Sequence, residues 1–353
     1  MKRCELIIWD ECTMSHRKAF EAVDRMLQDI RDNKLPMGGV LTLLTGDPRQ
    51  CLPVVPGGTR ADEIEATLKN SVLWNHVERL HLTKNMRVHL TGDEEAENFA
   101  KVLEDIGGGI LGYETEGVIA PPESVCVKDS NELIDKVFPN LAENHINPNW
   151  VSVRAILAPK NDDVDLINAI LMSCVTGEGK IYKSIDKVMK DQDATRYPQE
   201  LLNSLNHPGV PPHKLVLKVN TPAMVLRNLD PPRVCNGTRI QIQSLQANVV
   251  FGTILSGEYE GEEVMIPRIP IIPTNIPFEY KRTQFPLHPS FSMTINKSLG
   301  QTLKKVGLYL ENEVFSHGQF YVGCSQVGSE DCLKIFAPKN KKRNVVYYEA
   351  LDF

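Results

Sequence analysis

Four consecutive apolar residues, Leu6 to Trp9, run straight into Asp10 and Glu11, a pattern that predicts a strand buried on both faces with a carboxylate pair at its C-terminal end. Helical spacing follows. Phe20, Val23, Met26, Leu27 and Ile30 recur along one face, with Ser15 as the expected N-cap, until Asn33, Pro36 and the Gly38-Gly39 pair end the pattern. Val40 to Leu44 predict a second buried strand, which leads into the loop Gly46-Asp47-Pro48-Arg49-Gln50. Strand, helix, strand with polar residues beyond each strand's C-terminal end describes a parallel α/β sheet, in which ligands sit outside those ends.

From Gly92 to about Trp150 the chain is acidic, and it reads as a helical connection with loops at Gly107-Gly108-Gly109 and Pro121-Pro122. A second α/β domain is expected to open with the strand Val153 to Leu157. The helix carrying Val164, Ile167, Ile170 and Leu171 follows, capped by Asn161 or Asp162. Short β-rich runs interrupt that domain at Leu215–Val219, Ala223–Leu226, Thr238–Gln243, Val249–Leu255 and Glu263–Ile266, and they predict a small barrel-like insertion. Prolines 267, 270, 273, 277, 286 and 289 force an extended path back to the sheet, which resumes at Phe291–Ile295 and Val306–Leu310.

Composition narrows the function classes. With 353 residues the chain can form two cores plus an insertion, and its 42% hydrophobic and 24% charged residues are ordinary for a water-soluble globular protein. No apolar run approaches the roughly 20 residues of a membrane span, and the start shows neither a secretory nor a transit pattern, so an intracellular protein without membrane partners is expected. The eight cysteines form no C-x-x-C pair or Cys/His cluster, which predicts reduced and mostly buried thiols rather than disulfides or a metal. The net charge of −6 is unevenly spread. Thr91 to Lys136 holds twelve acids against three bases, whereas Tyr280 to Leu310 has no acid and carries Lys281, Arg282, Lys297, Lys304 and Lys305, so the second half can follow a phosphate backbone. Asn236-Gly237-Thr238 reads as a tight turn, and Trp74, Trp150 and Tyr347-Tyr348 as packing residues rather than base-stacking platforms.

An Asp-Glu pair at a strand end suits metal-dependent nucleotide hydrolysis, because one carboxylate can hold Mg²⁺ while the next polarises the attacking water. Gly-Asp-x-x-Gln after the adjacent strand would set Gln50 against a γ-phosphate or that water. The strings IIWDECTMSHRKAFEAVDRMLQDIR and LTGDPRQCLPVV resemble helicase motifs II and III of the Pif family of DNA helicases. LTKNMR resembles motif IV, ILAPKNDDVDLIN the opening of the second motor domain, PAMVLRNLDPPRVCNGTRI part of the inserted barrel, FSMTINKSLGQTL motif V and FSHGQFYVGCSQVGS motif VI. PPHKLVLKV, IPRIPIIP and QFPL are similar to the Helitron transposon branch of that family.

The resemblance implies two RecA-like P-loop NTPase domains of α/β class, the first truncated, with a small β-barrel insertion in the second. The expected boundaries are residues 1–92 for the remainder of the first domain, 93–150 for the acidic connection, 151–198 and 288–353 for the second domain, and 199–287 for the insertion. It implies ATP-driven 5′ to 3′ unwinding in repair, recombination or rolling-circle transposition, on single-stranded DNA and duplex junctions, in the nucleus. Asp10 would bind Mg²⁺, Glu11 activate water, Gln50 sense the γ-phosphate and Arg87 contact phosphates. Gly300, Gln301 and Gln326 would lie at the nucleotide, and Lys297, Ser298, Thr302, Lys304 and Lys305 at the DNA. Three departures stand out. None of the 353 residues forms a G-x-x-x-x-G-K-[ST] loop, Gln326 stands where the family's motif VI has arginine, and Leu299 where motif V has a polar residue. A catalytically inactive remnant that only binds single strands, or does not fold, is therefore the alternative expectation. The run Lys339, Lys341, Lys342 and Arg343 is a candidate nuclear import signal.

Overall fold

The computed structural model describes residues 1–86, 94–110, 123–190, 196–273, 276–301, 303–338 and 343–351. These form two compact units, Met1–Cys126 with Leu310–Leu333 and Ala337–Phe353, and Val127–Tyr309 with Lys334–Phe336. Residues 310–333, expected with the second domain, pack with the first unit, for a reason that lies in the turn at Gly318 described below.

In the first unit the strands Leu6–Trp9 and Leu41–Leu44 pair in parallel, Leu6 opposite Leu41 and Trp9 opposite Leu44. The helix Arg17–Arg31 joins them. Burial on both faces does not hold. Leu6, Ile8, Leu41 and Leu43 are 49%, 64%, 72% and 46% exposed, because the packing partners Cys12, Phe20 and Leu68 cover only the face that carries Trp9 and Leu44. The N-cap is His16 rather than Ser15: its Nδ1 accepts the Lys18 amide at 3.1 Å, while Ser15 Oγ accepts the Trp9 indole N–H. Gly107 and Gly108, expected in a loop, complete the helix Glu94–Gly108.

The second unit is built on a four-stranded sheet in the order Ser292–Thr294, Arg154–Ala158, Lys305–Tyr309, Leu333–Phe336, with parallel pairing around the Arg154–Ala158 strand. Leu133, Val137, Phe138, Ile156, Ile167 and Phe291 form part of its core. The helix Asn161–Cys174 starts one or two residues earlier than expected, with Lys160 at the N-cap, so Asn161 and Asp162 both lie inside its first turn. There Asp162 and Asp163 complement the exposed amide dipoles. All five expected β-rich runs are strands. Four of them, with Leu287–Pro289, make a five-stranded antiparallel sheet ordered Glu263–Pro267, Val249–Ile254, Arg239–Leu245, Pro222–Val225, Leu287–Pro289. Strand structure also begins before residue 199, since Lys180–Lys183 pairs with Lys214–Leu217 and Ile185–Val188 with Tyr280–Gln284.

Buried polar side chains tie these sheets together. Arg239 has almost no exposed surface and donates to the carbonyls of Val151, Ser152, Arg154 and Ser290, linking the antiparallel sheet to one end of the parallel one. Burial pulls its guanidinium down to about 10, which leaves it charged at neutral pH. Gln241 reaches the carbonyls of His145, Ile146 and Asn220, and Gln284 those of Tyr182, Pro212 and His213. Arg282, expected among the phosphate-facing bases, is fully buried in a two-pronged pair with Asp186, at 2.8 Å from Nη2 and 3.0 Å from Nε. Its remaining donors go to the carbonyls of Leu202, Leu205 and Pro211.

Other expectations divide. The turn at Cys235–Thr238 forms with Gly237 at φ 95°, and Trp74, Trp150 and Tyr347 pack against cores, whereas Tyr348 is exposed. The eight thiols are free, but only Cys12, Cys51 and Cys324 are buried, so the expected general burial is corrected. The others lie in turns and at element ends, where neighbouring backbone leaves them partly open. Among the described residues no helix is long and apolar enough to cross a membrane.

Removing one partner of a buried pair strands the other charge. Asp186→Ala should therefore destabilise the chain by about 3 to 5 kcal/mol in urea titrations, and Arg282→Met combined with it should recover part of that loss.

Candidate functional site

The two strand ends of the first unit are stitched together through Thr45. Its amide donates to the Trp9 carbonyl and its carbonyl accepts from Cys12, both at 2.9 Å, while its hydroxyl donates to Asp10 Oδ1 at 2.5 Å. The Glu11 amide also donates to Asp10 Oδ1, at 2.9 Å, so Asp10 is exposed yet held in one orientation. Glu11 occupies the left-handed region at φ 51°, ψ 40°, unusual for a residue with a side chain. Its Oε2 is buried and has no partner among the described residues, and burial, then Asp10 and Asp47, raise the proton affinity of its carboxylate. Strain kept at a strand end beside an orphaned acceptor is a mark of a functional position. Chemically, the pair offers an oriented carboxylate and a neighbouring one of elevated basicity, the combination a general base needs. Asp10 fits Mg²⁺ only in company. Among the described residues no group of three or more His, Cys, Asp or Glu could hold a metal, so such an ion would take its other ligands from phosphate oxygens and water.

Gln50 ends the second loop, with its Oε1 buried and unpartnered. The loop is built around Asp47: Oδ1 accepts the Arg49 amide and Nε, each at 3.0 Å, and Oδ2 accepts the Tyr321 hydroxyl at 2.8 Å. The Arg49 guanidinium lies 5.5 Å from the Tyr321 ring centroid. Gly107 leaves room for both, since a β-carbon there would come within 2.9 Å of Arg49 Cδ and 3.0 Å of the Tyr321 ring. Burial and Asp47 push the Tyr321 phenol upward, so it remains a donor.

Gly318, at φ 72°, approaches closer still. A β-carbon would sit 2.4 Å from the Arg49 carbonyl oxygen and 2.6 Å from Gln50 C. Beside it, His317 Nδ1 accepts the Tyr347 amide at 2.9 Å, which leaves the proton on Nε2 to donate to the Pro48 carbonyl at 2.8 Å. Burial lowers the proton affinity of this imidazole. Gly318 and His317 thus bring the helix Gln319–Ser325 onto the loop that carries Gln50. Gln326 is its C-cap. Arg49, Thr83, Lys84 and Ser325 line a cavity of about 270 Å³. Arg49 was not singled out from the sequence; its place directly before Gln50 is the one signal that could have found it. Arg87 lies outside the described residues.

In the second unit Lys297 lies in a cavity of about 650 Å³ with Asp165, Lys214, Lys218 and His288. Burial, followed by repulsion from Arg227, lowers its proton affinity, and Asp165 opposes this. Ser298, expected at the DNA, has no exposed surface and donates to the Ile295 carbonyl at 2.7 Å; it shapes the turn and presents nothing to a ligand. Gly300 is exposed at φ 73°, and Gln301 donates to the Gly237 carbonyl at 3.2 Å. Lys304 is exposed and Lys305 half-buried at the start of its strand, both apart from the cavity walls. Thr302 lies outside the described residues.

A strand-end carboxylate pair, a glutamine loop after the neighbouring parallel strand and a second parallel α/β sheet are the arrangement of RecA-like α/β domains. Parts of the chain resemble Pif1-like helicases. Residues 1–117 match the family model for PIF1-like helicase, and residues 200–245 that for the 2B domain of DNA helicase Pif1. It is 23% identical to the ATP-dependent DNA helicase PIF1 of Danio rerio over 99% of this chain and 49% of that protein. The corresponding figures for Pif1 of Bdellovibrio bacteriovorus are 25%, 93% and 65%. The chain spans about half the length of several curated relatives it matches. Crystal structures of Pif1 from Candida albicans and of Bacteroides Pif1 with ADP-AlF3 and single-stranded DNA share the fold. Their TM-scores are 0.66 and 0.67 at 21% and 22% identity, over 99% of this chain and 76% and 74% of theirs.

Two outcomes follow from the Gly318 turn. Gly318→Ala should lower stability by about 2 to 4 kcal/mol in denaturant titration, from the left-handed backbone and the clash together. His317 is harder to protonate folded than unfolded, so its contribution is complete above about pH 6.5 and is lost as the pH falls toward the lower folded value. The melting temperature should therefore drop as the pH is lowered below about 6.5, with a shallower drop in His317→Gln.

Proposed function

We propose that the chain is the motor portion of an ATP-dependent DNA helicase that moves 5′ to 3′ along single strands, with roles in unwinding, recombination and repair. The observation that carries this reading is Glu11, held in a left-handed backbone with an unpartnered Oε2 beside the fixed carboxylate of Asp10. Glu11 takes a proton from the attacking water, Gln50 orients that water or the γ-phosphate, and Arg87 contacts the phosphates. Mg²⁺, held by Asp10, supplies neutralisation of phosphate charge when bound. Gly300, Gln301 and Gln326 belong to the nucleotide side. The single strand lies along the cavity with Lys297, with Lys304 and Lys305 as further phosphate contacts.

Similarity over nearly the whole chain to ATP-dependent DNA helicases supports this reading, as do the related Pif1 structures with single-stranded and forked DNA. The domain scheme we propose is a first RecA-like domain at 1–92, a connection at 93–150, and a second domain at 151–198 and 288–353 around a β-barrel insertion at 199–287, with Leu310–Leu333 and Ala337–Phe353 packing on the first unit. The similarity of PPHKLVLKV and IPRIPIIP to Helitron proteins supports a transposon relative. A nuclear location fits this function; of the basic run only Arg343 lies among the described residues, 4.0 Å from Glu313. Binding without turnover is the second reading, and Gln326 in place of a cation is the observation behind it.

The 353-residue chain should bind oligonucleotides without sequence preference. Replacing Lys297, Lys304 and Lys305 together by Ala should weaken binding and flatten the slope of log K against log salt by about 2, in anisotropy titrations. An unchanged slope would contradict the assignment. With a phosphate-binding loop domain supplied upstream, DNA-stimulated phosphate release should appear and fall by about 10² or more in Glu11→Gln. Gln326→Arg should raise kcat at least about tenfold. Ordinary motor rates with no gain from Gln326→Arg would mean that another cation, Arg49 or Arg87, already supplies the charge.

A further inference from the structure

An ion pair in the 650 Å³ cavity has no part in the strand-binding reading above. His288, on the strand Leu287–Pro289, places Nε2 2.8 Å from Asp165 Oδ1 and Nδ1 2.8 Å from the Pro289 carbonyl oxygen. Both partners are acceptors. An imidazole carries hydrogens on both nitrogens only as the imidazolium, so the two bonds coexist only in the charged ring. Neutral His288 keeps one bond and gives up the other.

The charges around this ring come from several elements. Asp162 and Asp165 lie on the helix Asn161–Cys174, Lys297 on the turn Ile295–Ser298, and Lys214 and Lys218 on and just after the strand Lys214–Leu217. His207 lies on the loop that follows the helix Gln199–Ser204. Lys218 is engaged with the Val175 carbonyl at 2.8 Å, and Arg227 repels Lys297 while Asp165 attracts it. Asp165 is thus shared between His288 and Lys297, and the proton on His288 decides which of them its charge serves.

We propose that His288 is a proton-operated switch on the affinity of this cavity for single-stranded nucleic acid. Charged, it neutralises Asp165 and leaves the Lys297 ammonium to a strand phosphate. Neutral, it no longer offsets the Asp165 charge, which then draws on Lys297 and repels the strand. The inference rests on the reading of this cavity as the strand site.

The test is oligonucleotide anisotropy at fixed salt from pH 5.5 to 8.0 on the full 353-residue chain, with far-UV circular dichroism on each variant. Affinity of the unaltered chain should fall as the pH rises, by about three- to fivefold, the size of a partly exposed ion pair. Asp165→Asn should bind tightly at every pH, and His288→Gln weakly at every pH, so that two opposite substitutions each remove the slope. Either variant alone decides the matter if the other does not fold. Lys297→Ala separates the two levels of the argument. If it weakens binding but the slope persists in Asp165→Asn and His288→Gln, the switch is wrong and the strand site stands. If it binds as the unaltered chain does at all pH values, the strand site is wrong and the switch falls with it.

Discussion

A missing β-carbon governs the first unit. Gly318 lets one backbone lie against another at a distance no side-chain-bearing residue allows, and everything on the Gln50 loop is arranged around that contact. His317 donates to Pro48 from one side, and Tyr321 reaches Asp47 from the next turn. Asp47 in turn holds Arg49 and raises the basicity of Glu11. Distant parts of the chain therefore meet through a rigid peptide contact rather than through flexible side chains, which keeps a glutamine and two carboxylates in fixed register. Such preorganisation is what electrostatic catalysis requires.

The second unit solves a different problem, the joining of sheets that run in different directions. Apolar packing fills each layer, but direction between layers comes from donors with several hydrogens: Arg239, Gln241, Gln284 and Arg282 each reach two or more backbone carbonyls. Hydrogen bonds to carbonyls are satisfied in one geometry only, so these residues fix orientation where a greasy interface would allow sliding. The wall that carries Lys297 and His288 inherits that rigidity.

Much of this was visible in the sequence, and the failures have physical causes. The strands at 6–9, 41–44 and 154–158 and the β-rich runs announce themselves because apolar and β-branched residues cluster between turn residues. Lys180–Lys183 and Ile185–Val188 escaped because alternating charges disguise short strands whose outer face is solvated. The helix Glu94–Gly108 runs through glycines that composition assigns to a loop, and it does so because Arg49 and Tyr321 need the space. The carboxylate pair and Gln50 were legible as an ordered motif. Arg49, the tautomer of His317 and the His288–Asp165 pair were not, since each depends on a partner remote in sequence. Arg282 shows the converse error, a base counted toward a surface that it never reaches.

The half-bare sheet of the first unit has a practical meaning. Leu6 and Leu41, then Ile8 and Leu43, stand opposite one another on the same side of a two-stranded ribbon, as a row of four aliphatic side chains open to water. A row of this kind attracts other apolar surfaces, and two unpaired strand edges flank it among the described residues. In a purified preparation of these 353 residues the ribbon governs colloidal behaviour: self-association should begin there, grow with warming and salt, and yield to a single charged residue placed at Ile8 or Leu41.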